Sequence, residues 1–203
     1  KERADLLDST ASEAIQIMAA NIISGTTPSN AIWFKAIPDG IDDPAELTEG
    51  EAWLDNVCQF MWRNIHGANF DSEIMDHIID YIVVGWAVLY EDIDREKHGG
   101  YTFETWAIGS CYIASSRQDG RIDTIFHVQS MNATALVKEY GEDMVSDKVR
   151  EALKNTPDKC FPILHAIFPR EGFKQPMDDR PLLPKHMPFA SYHVEIDSKT
   201  ILK

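Results

Sequence analysis

The sequence predicts an α+β fold: three amino-terminal helices packed on an antiparallel, hairpin-rich β region with short inserted helices. Three observations carry this prediction. Apolar residues recur at helical spacing in three successive stretches ahead of Gly85. Beyond it, short β-rich runs are separated by turn residues. Asp119-Gly120 stands between two such runs, Cys111–Ser115 and Arg121–Gln129, where a tight hairpin needs the positive φ that Gly adopts at little cost.

Taken in order, Ala4 to Ser24 reads as the first helix, with Leu7, Ala11, Ala14, Ile15, Met18 and Ile22 on one stripe and Gly25 as its stop. Thr26 to Asn30 is a turn, Ile32 to Ile37 a short strand carrying Trp33 and Phe34, and Pro38 to Pro44 an acidic loop. Thr48-Glu49-Gly50-Glu51 has the pattern of a capping box. It opens a second helix with core candidates Trp53, Leu54, Val57, Phe60, Met61 and Ile65, closed by Gly67. Asn69-Phe70-Asp71 starts a third, with Ile74, Ile78, Tyr81 and Ile82 inward and an end near Gly85.

Ala87 to Ile93 is a strand, turned by His98-Gly99-Gly100 into the next at Tyr101. In the central hairpin Ile122, Thr124, Phe126 and Val128 fall on one face, and Asp123, His127 and Gln129 on the other. From Met131 the period becomes helical, with Leu136, Val137 and Tyr140 on one side and Gly141 as the stop. A short amphipathic helix covers Ser146 to Asn155, then a strand runs from Phe161 to Phe168. Glu171 to Pro188, with Pro176, Pro181, Pro184 and Pro188, is an excursion loop. Phe189 to Ile196 is a strand that Asp197-Ser198-Lys199 turns into a partner at Ile201. The division expected is a helical part, 1–86, and a β-rich part, 87–203, within one structural domain. With no initiator Met and an end inside a strand, the chain reads as a fragment of something longer.

Composition narrows the function. The 203 residues carry a net charge of −14, which leaves no basic patch for phosphates, so tight nucleic-acid binding is not expected. Cys58, Cys111 and Cys160 have neither disulfide-framework nor zinc spacing and read as buried reduced thiols. The most apolar run, Ile78 to Tyr90, is too short and too polar for a membrane span.

Signatures of catalysis are missing: no GxSxG, P-loop, GxGxxG after a strand, or HExxH is present. His127 and His165 fall on separate strands and read as polar strand-face residues rather than metal ligands. Asp92, Asp94 and Glu96 alternate like early calcium-loop ligands, but Phe103 stands where the closing Glu is required. A nuclease-type site could use Asp92 and Asp94 with a distant carboxylate; a solvated strand end is the simpler reading. Trp33, Phe34, Trp53, Trp62 and Trp106 are core aromatics, since base-stacking platforms come with a basic groove. No catalytic, cofactor-binding or metal-binding residues are assigned.

An ordered set of motifs nevertheless resembles a known family. Asp8-Ser9-Thr10 before an Ala-rich helix, Trp33-Phe34, Trp53-Leu54, Asn69-Phe70 opening a helix, and Gly85 before a strand come first. Tyr112-Ile113-Ala114, Asp119-Gly120-Arg121-Ile122-Asp123-Thr124 and Met131 follow. Gly141, His165, Pro169-Arg170 and Pro188-Phe189-Ala190-Ser191-Tyr192 complete the order. Together they resemble the amino-terminal half of the head-to-tail connector, or portal, proteins of short-tailed (podovirus-type) phages. Two departures mark a distant member: Ala135 stands where the family commonly has Gln, and its glycine-rich segment is reduced to Val84-Gly85-Trp86-Ala87.

The resemblance implies a non-enzymatic virion protein, without cofactor, that forms a ring of about twelve copies. It implies capsid, terminase and tail proteins as partners, DNA passing through the channel without tight binding, and no membrane. Assembly would occur in the host cytoplasm, and this piece would form the outer wing. The readings that compete with it are the metal-dependent phage nuclease on Asp92 and Asp94, and an unrelated monomeric capsid adaptor.

Overall fold

In a computed structural model, which describes residues 8–37, 44–94, 100–173 and 186–203, the chain is α+β and divides into two units, 1–107 and 108–203.

The first unit holds α1 (Thr10–Thr26), α2 (Pro44–Gly67), α3 (Phe70–Val84) and an antiparallel pair, β1 (Val88–Asp94) and β2 (Gly100–Trp106). α1 begins at Thr10, whose N–H donates to Asp8 Oδ1, six residues later than Ala4; the stretch 1–7 lies outside the described residues. Gly25 is inside the helix. Its expected stripe is rotated: Ala19 is buried and Ile23 packs on the core, while Met18 is 52% exposed. Ile32–Ile37 forms no strand with any of the described residues, which corrects the expected one. Side chains of α2 hold it instead: Trp33 Nε1 donates to His66 Nε2 at 3.2 Å, and the Ala36 N–H reaches Cys58 Sγ at 3.3 Å.

The capping-box reading of Thr48 and Glu51 also fails, because α2 already runs from Pro44. Proline suits a first helical turn, where its missing N–H would have no partner. Trp53 and Phe60 are 65% and 68% exposed, and Met61 is also exposed, whereas Cys58 is buried. At about 100° per residue, Trp53 and Phe60 sit well over 100° round the helix from the inward line through Cys58 and Ile65. In α3, Phe70 and Ile74 are buried and Ile78 packs beside them, but Tyr81 points out. Gly85 ends α3 at φ 90°, its N–H donating to the Tyr81 carbonyl, in the left-handed conformation that a side chain would strain. The His98-Gly99 part of the expected turn lies outside the described residues.

The second unit is one antiparallel sheet, β3 (Cys111–Ala114), β4 (Thr124–Asn132), β5 (Cys160–Pro169), β6 (Phe189–Glu195) and β7 (Thr200–Ile201), in sequence order. A 3-10 turn, Ile108–Ser110, precedes it. Between β4 and β5 run α4 (Ala133–Tyr140) and α5 (Asp147–Asn155). α4 starts two residues beyond Met131, which stays in the strand. Asn132 caps it, Oδ1 accepting from the Ala135 N–H at 2.8 Å, and Ser146 caps α5 in the same way. Leu136, Val145, Val149, Ala152, Phe161, Ile163 and Leu202 close the core between these helices and the sheet.

The hairpin at Asp119-Gly120 is antiparallel, but its turn is not tight, and β4 begins at Thr124 instead of Arg121. Side chains explain the wide connection over 115–123. Ser116 donates from its N–H and Oγ to Asp123, Ser115 Oγ donates to the Arg121 carbonyl, and Arg117 pairs with Asp119. Such local bonds compete with the ladder for the same backbone. Burial along β4 does not follow the expected split: Thr124, on the face read as apolar, is 8% exposed, and His127, on the face read as polar, is 6% exposed. Of the cysteines, Cys58 and Cys111 are buried, but Cys160, at the first position of β5, is exposed.

Candidate functional site

Two constellations stand out, one in each unit, and each is described by itself. In the first, Trp33, Phe34, Asn69 and Phe70 come together. Trp33 stacks on Phe70 with centroids 6.3 Å apart, Phe34 packs edge-on to Trp33, and Phe70 packs edge-on to Phe103. His66 joins them through both ring nitrogens. Because Trp33 can only donate to Nε2, the imidazole proton sits on Nδ1, which donates to Asp71 Oδ1 at 2.8 Å.

Asn69 precedes α3 but does not cap it. Its Nδ2 donates to the Phe103 carbonyl at 2.7 Å and its Oδ1 accepts from the Phe103 N–H at 2.9 Å. One turn later Glu73 continues the seam: its Oε2 accepts from the Thr105 N–H, and its carbonyl accepts from Thr105 Oγ1. Residues four apart share a helix face, and residues two apart share a strand edge, so α3 closes the outer edge of β2 with side chains.

The second constellation is a row across the sheet. Cys111 stands opposite His127, His127 opposite His165, and His165 opposite His193. Directly paired residues share a face. His165 and His193 rings lie 4.0 Å apart, His165 Nε2 bonds to Ser191 Oγ at 2.8 Å, and Tyr140 Oη of α4 bonds to His193 Nδ1 at 2.6 Å. Sequence reasoning noticed His127 and His165 but missed His193. The available signal was that each of the three lies inside a strand-like run of the sequence. Beside the row, Glu195 is 0% exposed, with Oε1 accepting from Ser146 Oγ at 2.9 Å and Oε2 without a partner among the described residues.

The other singled-out residues remain apart from these groups. Asp119, Gly120 and Arg121 are in the exposed hairpin connection, where Asp119 accepts from the Arg121 N–H and Gly120 has φ 72°. Met131 packs on the second-unit core, and the Gly141 N–H ends α4 on the Val137 carbonyl. Pro169 ends β5, and the Arg170 N–H donates to the Pro188 carbonyl. Ser191 holds His165, while Tyr192, on the opposite face, stacks on Phe168.

Asp92 and Asp94 lie two apart on β1, with Asp92 Oδ1 taken up by the Ile93 N–H at 2.8 Å. Among the described residues no group of three or more His, Cys, Asp or Glu is placed to hold a metal ion, and no helix is long and apolar enough to cross a membrane. A groove of about 250 Å³ beside α5 is lined by Lys148, Glu151, Ala152, Asn155, Thr156 and Lys159, which include no nucleophile paired with a base.

Electrostatic shifts are local. Hydrogen bonds from Ser116 hold the Asp123 carboxyl below the usual range, and Arg150 does the same for Asp147. Burial lowers His77 in α3 against the opposing pull of Asp80.

The family model described as bacteriophage head to tail connecting protein matches residues 1–203. The chain is 25% identical over 176 residues to a protein of Bordetella phage BPP-1 named "Probable portal protein", covering 84% of this chain and 30% of that one. It is 28% identical over 204 aligned positions to the portal protein of Salmonella phage epsilon15, covering 98% of this chain and 35% of the relative. The chain thus spans about a third of the length of the curated relatives it matches.

Proposed function

The chain belongs to the bacteriophage head-to-tail connecting protein family, and from that premise we propose that it is part of a portal subunit, a structural ring component through which phage DNA is packaged and ejected. The observation that carries this reading is the family match across residues 1–203, supported by two relatives named as portal proteins. In this reading residues 1–86 are the helical part and 87–203 the β-rich part of the ring's outer wing. Trp33, Phe34, Asn69 and Phe70 brace the first part, and Ser191 and Tyr192 work from the two faces of the sheet in the second.

The ring holds about twelve copies, joined head to tail by two different surfaces. Capsid and tail proteins flank it, and a separate terminase drives the DNA. The net charge of −14 suits a wall that DNA passes without being held. The protein performs no chemistry of its own. It resides at the head–tail junction of the virion, after assembly in the host cytoplasm. Immunogold electron microscopy with antibody raised against residues 1–203 tests this. Label confined to one vertex of the particle supports the reading; label spread over the capsid, or absent from virions, overturns it.

A further inference from the structure

We propose that the outward face of α2, centred on Trp53 and Phe60, is a docking surface for a basic amphipathic helix of a partner protein. The proposal goes beyond the ring reading and does not depend on it. Its starting point is an uneven distribution of charge. Residues 1–107 hold 20 of the 33 acidic residues but only 6 of the 19 basic ones. The first unit therefore carries the whole net charge of −14, and the second, 108–203, is neutral. Within α2, Glu46, Glu49, Glu51 and Asp55 stand against Arg63. Lys35 reaches Asp55 at 3.8 Å, but both side chains are more than half exposed, and such a pair is weak.

The same helix carries apolar anchors. At about 100° per residue, Trp53, Val57, Phe60 and Met61 fall within one arc of about 100°. Trp53 is 65% exposed and Phe60 68%, while the buried Cys58 lies on the inward line. Exposed Glu49 stands one turn ahead of Trp53. Aromatic side chains two turns apart are the anchors that a helix laid along α2 would cover with its own apolar stripe.

Charge selects the occupant. Nucleic acid and anionic lipid are both repelled by the acidic unit. A second copy offers either the same acidic unit or a neutral one, and gains no attraction from either. A helix with Lys or Arg beside an apolar stripe gains from charge and from burial together.

Fluorescence anisotropy with synthetic peptides of about 15 residues, or about four helical turns, tests this on the chain. A peptide with Leu along one helical stripe and Lys elsewhere is expected to bind. The same composition scrambled to destroy the stripe should bind at least about tenfold more weakly, and the Leu/Glu counterpart should not bind. Trp53→Ser with Phe60→Ser changes no charge and should weaken binding at least about tenfold. Ile201→Ser, at an exposed position of the second unit, should leave it unchanged. Should the double variant fail to fold, a spin-labelled peptide on the unaltered chain decides, by broadening the amides of Trp53, Val57 and Phe60 more than those of β5. Equal binding of the scrambled peptide, undiminished binding to the folded double variant, or broadening centred elsewhere would overturn the proposal. So would self-association of the chain that the double variant abolishes, since a second copy would then be the occupant. A longer polypeptide that carries the chain but leaves the peptide unbound would overturn it too, with the face covered from within.

Discussion

Asn69 pairs with Phe103 as a strand would, its side-chain amide donating to the Phe103 carbonyl at 2.7 Å and accepting from the Phe103 N–H at 2.9 Å. The bond pair ties the start of α3 to the open edge of β2. Asn69→Ala should lower stability by about 1 kcal/mol, since water can reach the site and replace part of what is lost. Asn69→Asp should not restore it, because a carboxylate would face the Phe103 carbonyl. Exchange of the Phe103 amide is the local check: unchanged protection in Asn69→Ala would show that the seam holds without it.

Gly120 has φ 72° with nothing within 4 Å of where a Cβ would be. Any cost of a side chain there is therefore backbone strain and not a clash. Gly120→Val should destabilise by about 1–3 kcal/mol. Urea unfolding with an unchanged midpoint would contradict it.

Ser146 serves two groups at once, capping α5 and donating to the buried Glu195. Ser146→Ala should therefore cost about 2 kcal/mol, more than a cap alone. Ser146→Thr should recover most of the loss. Ser146→Asp should not at neutral pH, although Asp caps helices as well as Ser, because its charge would meet Glu195. Equal recovery by Thr and Asp in urea unfolding would separate the cap from the carboxylate and sink the double role.

Asp92 and Asp94 test the metal reading. With Asp92 Oδ1 occupied by the Ile93 N–H, added calcium, magnesium or zinc should leave the melting temperature where it was. A saturable rise that disappears in the double variant Asp92→Asn, Asp94→Asn would revive a nuclease-type site.

The order of elements was legible because helical and strand periods differ strongly, as in α3 and β4. Position around a helix was less so. Trp53 and Phe60 look like core by residue type, yet the inward line of α2 runs through Cys58, which only packing reveals. The strand expected at Trp33-Phe34 failed because the segment spends its polar groups on His66 and Cys58 of α2, far away in sequence. Asn69 and the histidine row share that cause. A cap preference is local, but the partner of Asn69 is in β2. The three histidines become neighbours only once the registers of β4, β5 and β6 are known.

Assembly is the central claim. The chain spans about a third of the length of the relatives named as portal proteins, so closure of the proposed ring is expected to need more than residues 1–203. The chain alone carries a charge of −14, and like-charged copies repel within about 10 Å at moderate salt. Sedimentation velocity on the chain and on a longer portal polypeptide that carries it tests this most directly. The account predicts a monomer or weak association for the chain at micromolar concentration, and one closed ring of about twelve copies for the longer protein. A longer protein that stays monomeric at every salt concentration, or a chain that forms a stable closed dimer with two-fold symmetry, would contradict it.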